Sequence, residues 1–121
     1  MEHVTYNSII KSKMDDYAHQ VYSITRKFPK NELYGVTSQL RRATLSIVLN
    51  YIEGYSRNRI GNKSKMYGNF LEISYGSLKE SKYLLHFSLE EKYLTKSQYD
   101  SVIKLAEEIG AMLWGIIRNL R

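Results

Sequence analysis

A chain of 121 residues, 43% hydrophobic and 25% charged, has ordinary globular composition and is long enough for one domain with a buried core. It has no cysteine, which excludes disulfide scaffolds, thiolate zinc sites and cysteine nucleophiles together. The net charge of +6 is unevenly placed: between Arg26 and Lys65 nine cations face only Glu32 and Glu53, while the rest of the chain has one more acid than it has cations. Such a concentration predicts a polyanionic partner, with plain solubility as the bland alternative.

MEHVTYN lacks a basic start followed by an apolar run, so no signal peptide is expected. The longest uncharged apolar stretch, 43–52, is about half of the roughly twenty residues that a membrane span requires. With cysteine absent as well, a cytoplasmic setting is the expectation.

Ile10, Met14, Tyr17, Val21, Ile24 and Phe28 alternate four and three residues apart, which predicts a first helix facing a bundle. Asn7 or Ser8 is its expected cap, and Phe28-Pro29 its end, because a residue before proline is pushed out of helical geometry. In the connection that follows, Asn31 can cap a helical turn, with Thr37 a rival cap for the next helix.

The second helix, GVTSQLRRATLSIVLNYIEG over 35–54 and on to about Tyr55 or Arg57, organises the chain. Val36, Leu40, Ala43, Ile47, Asn50 and Gly54 form an inward stripe. The opposite face starts polar with Ser38, Arg41 and Arg42, then continues with Leu45, Val48, Leu49 and Ile52. A helix apolar on both sides needs two partners, its own core and a second surface, so these four residues are the expected oligomer interface.

SRNRIGNKSK, 56–65, is a polar loop with a turn at Gly61-Asn62 and Asn62 or Ser64 as the next cap. A third helix over about 63–92 carries Ser74, Gly76, Ser77 and Ser81 in its middle, small residues read as packing devices. Thr95-Lys96-Ser97-Gln98 has the form of a capping box. Behind it Tyr99, Val102, Ala106, Ile109, Leu113, Ile116 and Leu120 repeat at three-four spacing, widened by Trp114 and Ile117. No strand-like alternation competes. The expected fold is all-α: an antiparallel, up-down-up-down four-helix bundle in a single domain, 1–121.

A di-iron bundle needs a Glu-x-x-His motif on each of two helices, and the chain offers one relative, Asp16-Tyr17-Ala18-His19. His3 and His86 have no partner at ligand spacing. No Gly-x-Ser-x-Gly elbow exists, and Gly61-Asn62-Lys63-Ser64 lacks both the upstream glycine and the strand of a phosphate loop. No metal, no cofactor and no catalysis are expected. Asn50 reads as a register-setting polar residue and Glu53 as a partner for Arg57 one turn later. Arg41 and Arg42 point about a hundred degrees apart, Arg42 towards a seam where Glu80 is within reach. Each serves either a phosphate or a subunit contact. Tyr34, Tyr51, Tyr55 and Tyr67 read as half-buried core rather than as base-stacking platforms.

One run, Phe28-Pro29, Glu32, Gly35, Ser38-Gln39-Leu40-Arg41-Arg42-Ala43, Ser46-Ile47, Asn50 and Glu53-Gly54, is joined by Gly76-Ser77-Leu78-Lys79-Glu80 and Tyr93-Leu94-Thr95. Together they resemble the bacterial four-helix-bundle proteins encoded in intervening sequences of 23S ribosomal RNA genes, over nearly the whole chain. Tyr51 and Ile52 depart from the small or aliphatic residues usual there, and the first helix lacks an early tryptophan. The resemblance implies a ring-shaped homopentamer. A more distant likeness, to the accessory variability determinant of diversity-generating retroelements, implies a reverse transcriptase and RNA as partners.

The resulting expectation is a homo-oligomeric, non-enzymatic bundle that binds RNA or RNA/DNA without sequence preference. Arg41, Arg42, Arg57, Arg59, Lys63 and Lys65 would make the phosphate contacts. The alternative expectation is a protein–protein scaffold.

Overall fold

The computed structural model describes residues 5–58 and 64–120, with the side chain of Ser64 excepted. Four α-helices occupy them: α1 (Tyr6–Thr25), α2 (Val36–Asn58), α3 (Ser64–Glu90) and α4 (Lys96–Asn119), with a short 3-10 turn at Lys30–Glu32. No strand occurs among the described residues. Each helix packs on the next, and α4 returns against α1. Across α2 and α3 the partner numbers fall as the chain rises: Arg42 meets Glu80, Ser46 meets Ser77, and Ile47 meets Ser74. The pair is antiparallel, and the expected up-down-up-down bundle is the fold. No described helix is long and apolar enough to cross a membrane.

The helix starts differ from the sequence reading at two points. The cap of α1 is Thr5, not Asn7 or Ser8: the Ser8 amide donates to Thr5 Oγ1 and the Thr5 amide to Ser8 Oγ, both at 3.0 Å. Asn7 instead accepts the Tyr51 phenol at 2.6 Å, tying α1 to α2. Asn31 lies inside the Lys30–Glu32 turn, whose N-cap is Pro29, and Thr37, buried inside the next helix, does not cap α2. Glu32 caps it from outside. Its Oε1 accepts the Val36 amide at 3.2 Å while its Oε2 accepts the Tyr93 phenol at 2.9 Å. A Cβ at Gly35 would stand 2.5 Å from that Oε1, so glycine keeps the carboxylate seated. The Thr95–Gln98 capping box of α4 forms in both halves.

The core is a regular alternation along α3. Leu71, Leu78 and Leu85 recur every seven residues, with Ser74, Ser81 and Ser88 three residues after each; all six are buried. The serines are small enough to let neighbouring helices close in, and each disposes of its hydroxyl on a backbone carbonyl. Ser74 Oγ donates across to Ile47 O at 2.7 Å; Ser81 and Ser88 donate within α3. Ser81 also meets the Tyr17 phenol at 2.8 Å, a bond that crosses the bundle from α1 to α3. Burial raises the Tyr17 phenol well above its ordinary pKa. Gly76 does not belong to this packing: a Cβ there meets nothing within 4 Å.

Candidate nucleic-acid interface

The six cations expected to contact phosphate do not converge. Arg41 is half-buried; its Nε donates to Thr25 Oγ1 at 2.8 Å and its guanidinium lies 4.6 Å from the Tyr22 ring centre, so α1 holds it. Arg42 is exposed and pairs with Glu80 across α2 and α3, Nη2 to Oε1 at 2.7 Å. Arg57 pairs with Glu53 one turn back at 3.0 Å, as its spacing predicted. Lys65 is exposed and forms no ion pair among the described residues. Arg59 and Lys63 lie outside the described residues. Arg42 and Arg57 are separated by about four turns of α2, or ~22 Å.

The tertiary structure assembles a different group. At the end of the bundle where α1 leads into α2, Arg26, Lys27 and Lys30 are exposed and without ion pairs among the described residues. The turn between α3 and α4 is held against the same α1–α2 connection by Phe28 on Tyr93, ring centres 5.4 Å apart, and by the Tyr93–Glu32 bond. That turn carries Lys92, exposed and in the left-handed region at φ 65°, next to the exposed Glu91. The sequence signals the first three by the proline-bounded cluster RKFPK; Lys92 is more than sixty residues away, and no local pattern connects it to them.

The apolar back of α2 is present. Leu45, Leu49 and Ile52 are exposed, Leu49 at 61%, whereas Val48 is half-buried against the core. Seven residues on from Arg42 is Leu49, and seven back from Glu80 is Ile73, itself 51% exposed. The same register therefore places Leu49 beside Ile73 on the outer surface of the α2–α3 pair. Asn50, expected on the inward stripe, sits half-buried beside this seam, with its amide donating to Ser46 O and Oγ at 2.8 and 2.9 Å. Tyr51 takes the core position instead.

A family described as the 23S rRNA-intervening sequence protein matches residues 6–115. The chain belongs to that family. Among solved structures, a protein of unknown function from the S23 ribosomal protein family of Bacteroides thetaiotaomicron is similar. Its TM-score is 0.82 and its identity 22%, over 94% of this chain and 99% of that one. At this identity the likeness concerns the fold. A search of curated proteins gave no match. Among the described residues no group of three or more histidines and carboxylates is placed to hold a metal ion.

Proposed function

We propose that this family member is a homo-oligomer that binds nucleic acid, RNA above all, through its phosphates and without base selection. The observation that carries the reading is the net excess of seven positive charges between Arg26 and Lys65, in and on either side of a helix with an apolar outer face. Covering Leu49 and Ile73 with a second copy removes a paired apolar patch from water. The open space over Gly76 supports the same arrangement, because a helical glycine costs about 1 kcal/mol against alanine and no described residue comes close enough to require it. The family resemblance adds the subunit number, five in a ring. Repeating a weak cationic surface around a ring raises its grip on a long polyanion by avidity.

Titrating RNA at two salt concentrations tests this reading. Each phosphate contact adds roughly one unit to the slope of log affinity against log salt, so a steep fall is expected. Affinity that ignores salt, or no binding at low salt, ends the proposal. A reverse transcriptase is the partner that the more distant resemblance adds, tested by co-expression and recovery of a complex that survives nuclease.

One observation favours the second reading, a protein scaffold. Arg41, Arg42 and Arg57 each have a partner inside the chain, so three of the expected phosphate ligands already do structural work. On that reading the ring forms and RNA does not bind.

A further inference from the structure

A cleft of about 230 Å³ opens between α3 and α4, on the side of α3 away from α2. At one end Tyr75 and Trp114 touch, ring centres 5.9 Å apart and tilted by 36°, forming a continuous aromatic wall rather than a closed sandwich. Trp114, the chain's single tryptophan, is 41% exposed there. Gly110 forms part of the floor: a Cβ at that position would come within 3.3 Å of Leu78 Cδ2, so the glycine lets α4 sit close and leaves the floor low.

Two lysines line the same cleft, and they are not equivalent. Lys82 Nζ is neutralised by Glu107 Oε1 at 2.8 Å. Lys79 forms no ion pair among the described residues; its ammonium lies 5.4 Å from the Tyr75 ring centre. An uncompensated cation is thus held against an aromatic wall, above a floor of small residues. A flat ring with an attached anion fits this chemistry. The ring stacks on the exposed indole, and the anion takes the ammonium.

The geometry points to this cleft as the seat of one unpaired nucleotide of a single-stranded nucleic acid, with its base on Trp114 and its phosphate on Lys79. This rests on the nucleic-acid reading above and adds to it a second kind of contact, one that selects single strands over duplexes. A duplex keeps its bases stacked and offers none to the indole. Because Tyr75 and Lys82 face α4 while Ile73 lies on the α2 side, the cleft stays open when the Leu49–Ile73 patch is covered.

The single tryptophan makes the test direct. End-labelled oligouridine and an RNA duplex of equal length are titrated into the intact protein at low salt, with label anisotropy and Trp114 emission read together. Oligouridine is expected to raise anisotropy and quench Trp114 in step, whereas the duplex raises anisotropy alone. Trp114→Ala is expected to weaken single-strand binding at least about five-fold, the lower end of one base stack, and to leave duplex binding unchanged. Lys79→Gln is expected to weaken binding and quenching together. Anisotropy that rises without quenching overturns the cleft inference and leaves phosphate binding standing. No signal in either channel removes both. Emission that shifts with protein concentration before any RNA is added means that a second copy fills the cleft, which also overturns the inference.

Discussion

Arg42 and Glu80 form an ion pair at 2.7 Å on the outer surface of α2 and α3, and one heptad along the same pair of helices Leu49 and Ile73 occupy the equivalent positions. A charged rung and an apolar rung thus stand side by side on one face. The ion pair is exposed and contributes little to stability, within about 1 kcal/mol. Its importance is that it occupies Arg42, one of the cations that the net charge offers to a polyanion. The guanidinium retains further N–H donors beyond the one that Glu80 accepts.

Glu80→Gln therefore separates two roles for Arg42. With the carboxylate neutralised, the guanidinium is free to bind phosphate, and RNA affinity at low salt is expected to rise several-fold with thermal stability almost unchanged. Filter binding of wild type and variant side by side measures this. Equal affinities mean that Arg42 serves the fold or a neighbouring subunit.

Leu49→Glu places a charge in the centre of the exposed apolar patch and no charge in the core. Dissociation to a folded 14.2 kDa subunit is expected, seen by light scattering together with an unchanged helical circular dichroism spectrum. A wild-type protein that already scatters as a monomer would sink the oligomer reading.

Gly54 and Gly76 are predicted to respond in opposite ways. A Cβ at Gly54 stands 2.9 Å from Phe70 Cβ and 3.3 Å from Tyr67 O, so Gly54→Ala forces α2 and α3 apart at a cost of about 1–3 kcal/mol. Gly76→Ala meets only open space and gains up to about 1 kcal/mol of helix propensity in a dissociated subunit. Made in the Leu49→Glu background, it should raise the melting temperature; made alone, it should weaken assembly. Thermal melts in both backgrounds check the pair.

Alkali should destabilise the protein through its buried phenols, Tyr17 together with Tyr51 and Tyr67, and Tyr17 illustrates the sign. Burial holds its phenol neutral to a higher pH than in the unfolded chain, so the unfolded state releases its proton first. Stability is intact below about pH 10 and then falls by about 1.4 kcal/mol per pH unit for this group. Tyr17→Phe should flatten that slope and cost about 1 kcal/mol at neutral pH, as Ser81 keeps its bond to Leu78 O. On the acid side the direction reverses. Lys13 holds the Glu108 carboxyl below its usual range, so the α1–α4 tie is present at neutral pH and lost as pH falls through that lowered value. Urea melts between neutral and alkaline pH, and between neutral and acid pH, measure both limbs.

The three-four spacing of apolar residues determined the four helices and most of the core, because burial in a helix leaves a periodic trace that no distant contact is needed to read. The Thr95–Gln98 box, the Arg57–Glu53 pair and the reach of Arg42 towards Glu80 were legible for the same reason: each follows from helical geometry and the residues themselves. The apolar back of α2 was equally plain.

Other features depended on which turn lies beside which. Glu32 caps α2 while Tyr93, far along the chain, holds its other oxygen. Periodicity points Asn50 inward, yet the packing of α3 on α2 leaves Tyr51 in the core and Asn50 beside the seam. The grouping of Lys92 with Arg26, Lys27 and Lys30, and of Trp114 with Tyr75 and Lys79, required helices to be placed against one another. Spacing within one helix decides which face a residue takes; what stands opposite that face is decided by packing between helices, and for this protein the candidate sites lie there.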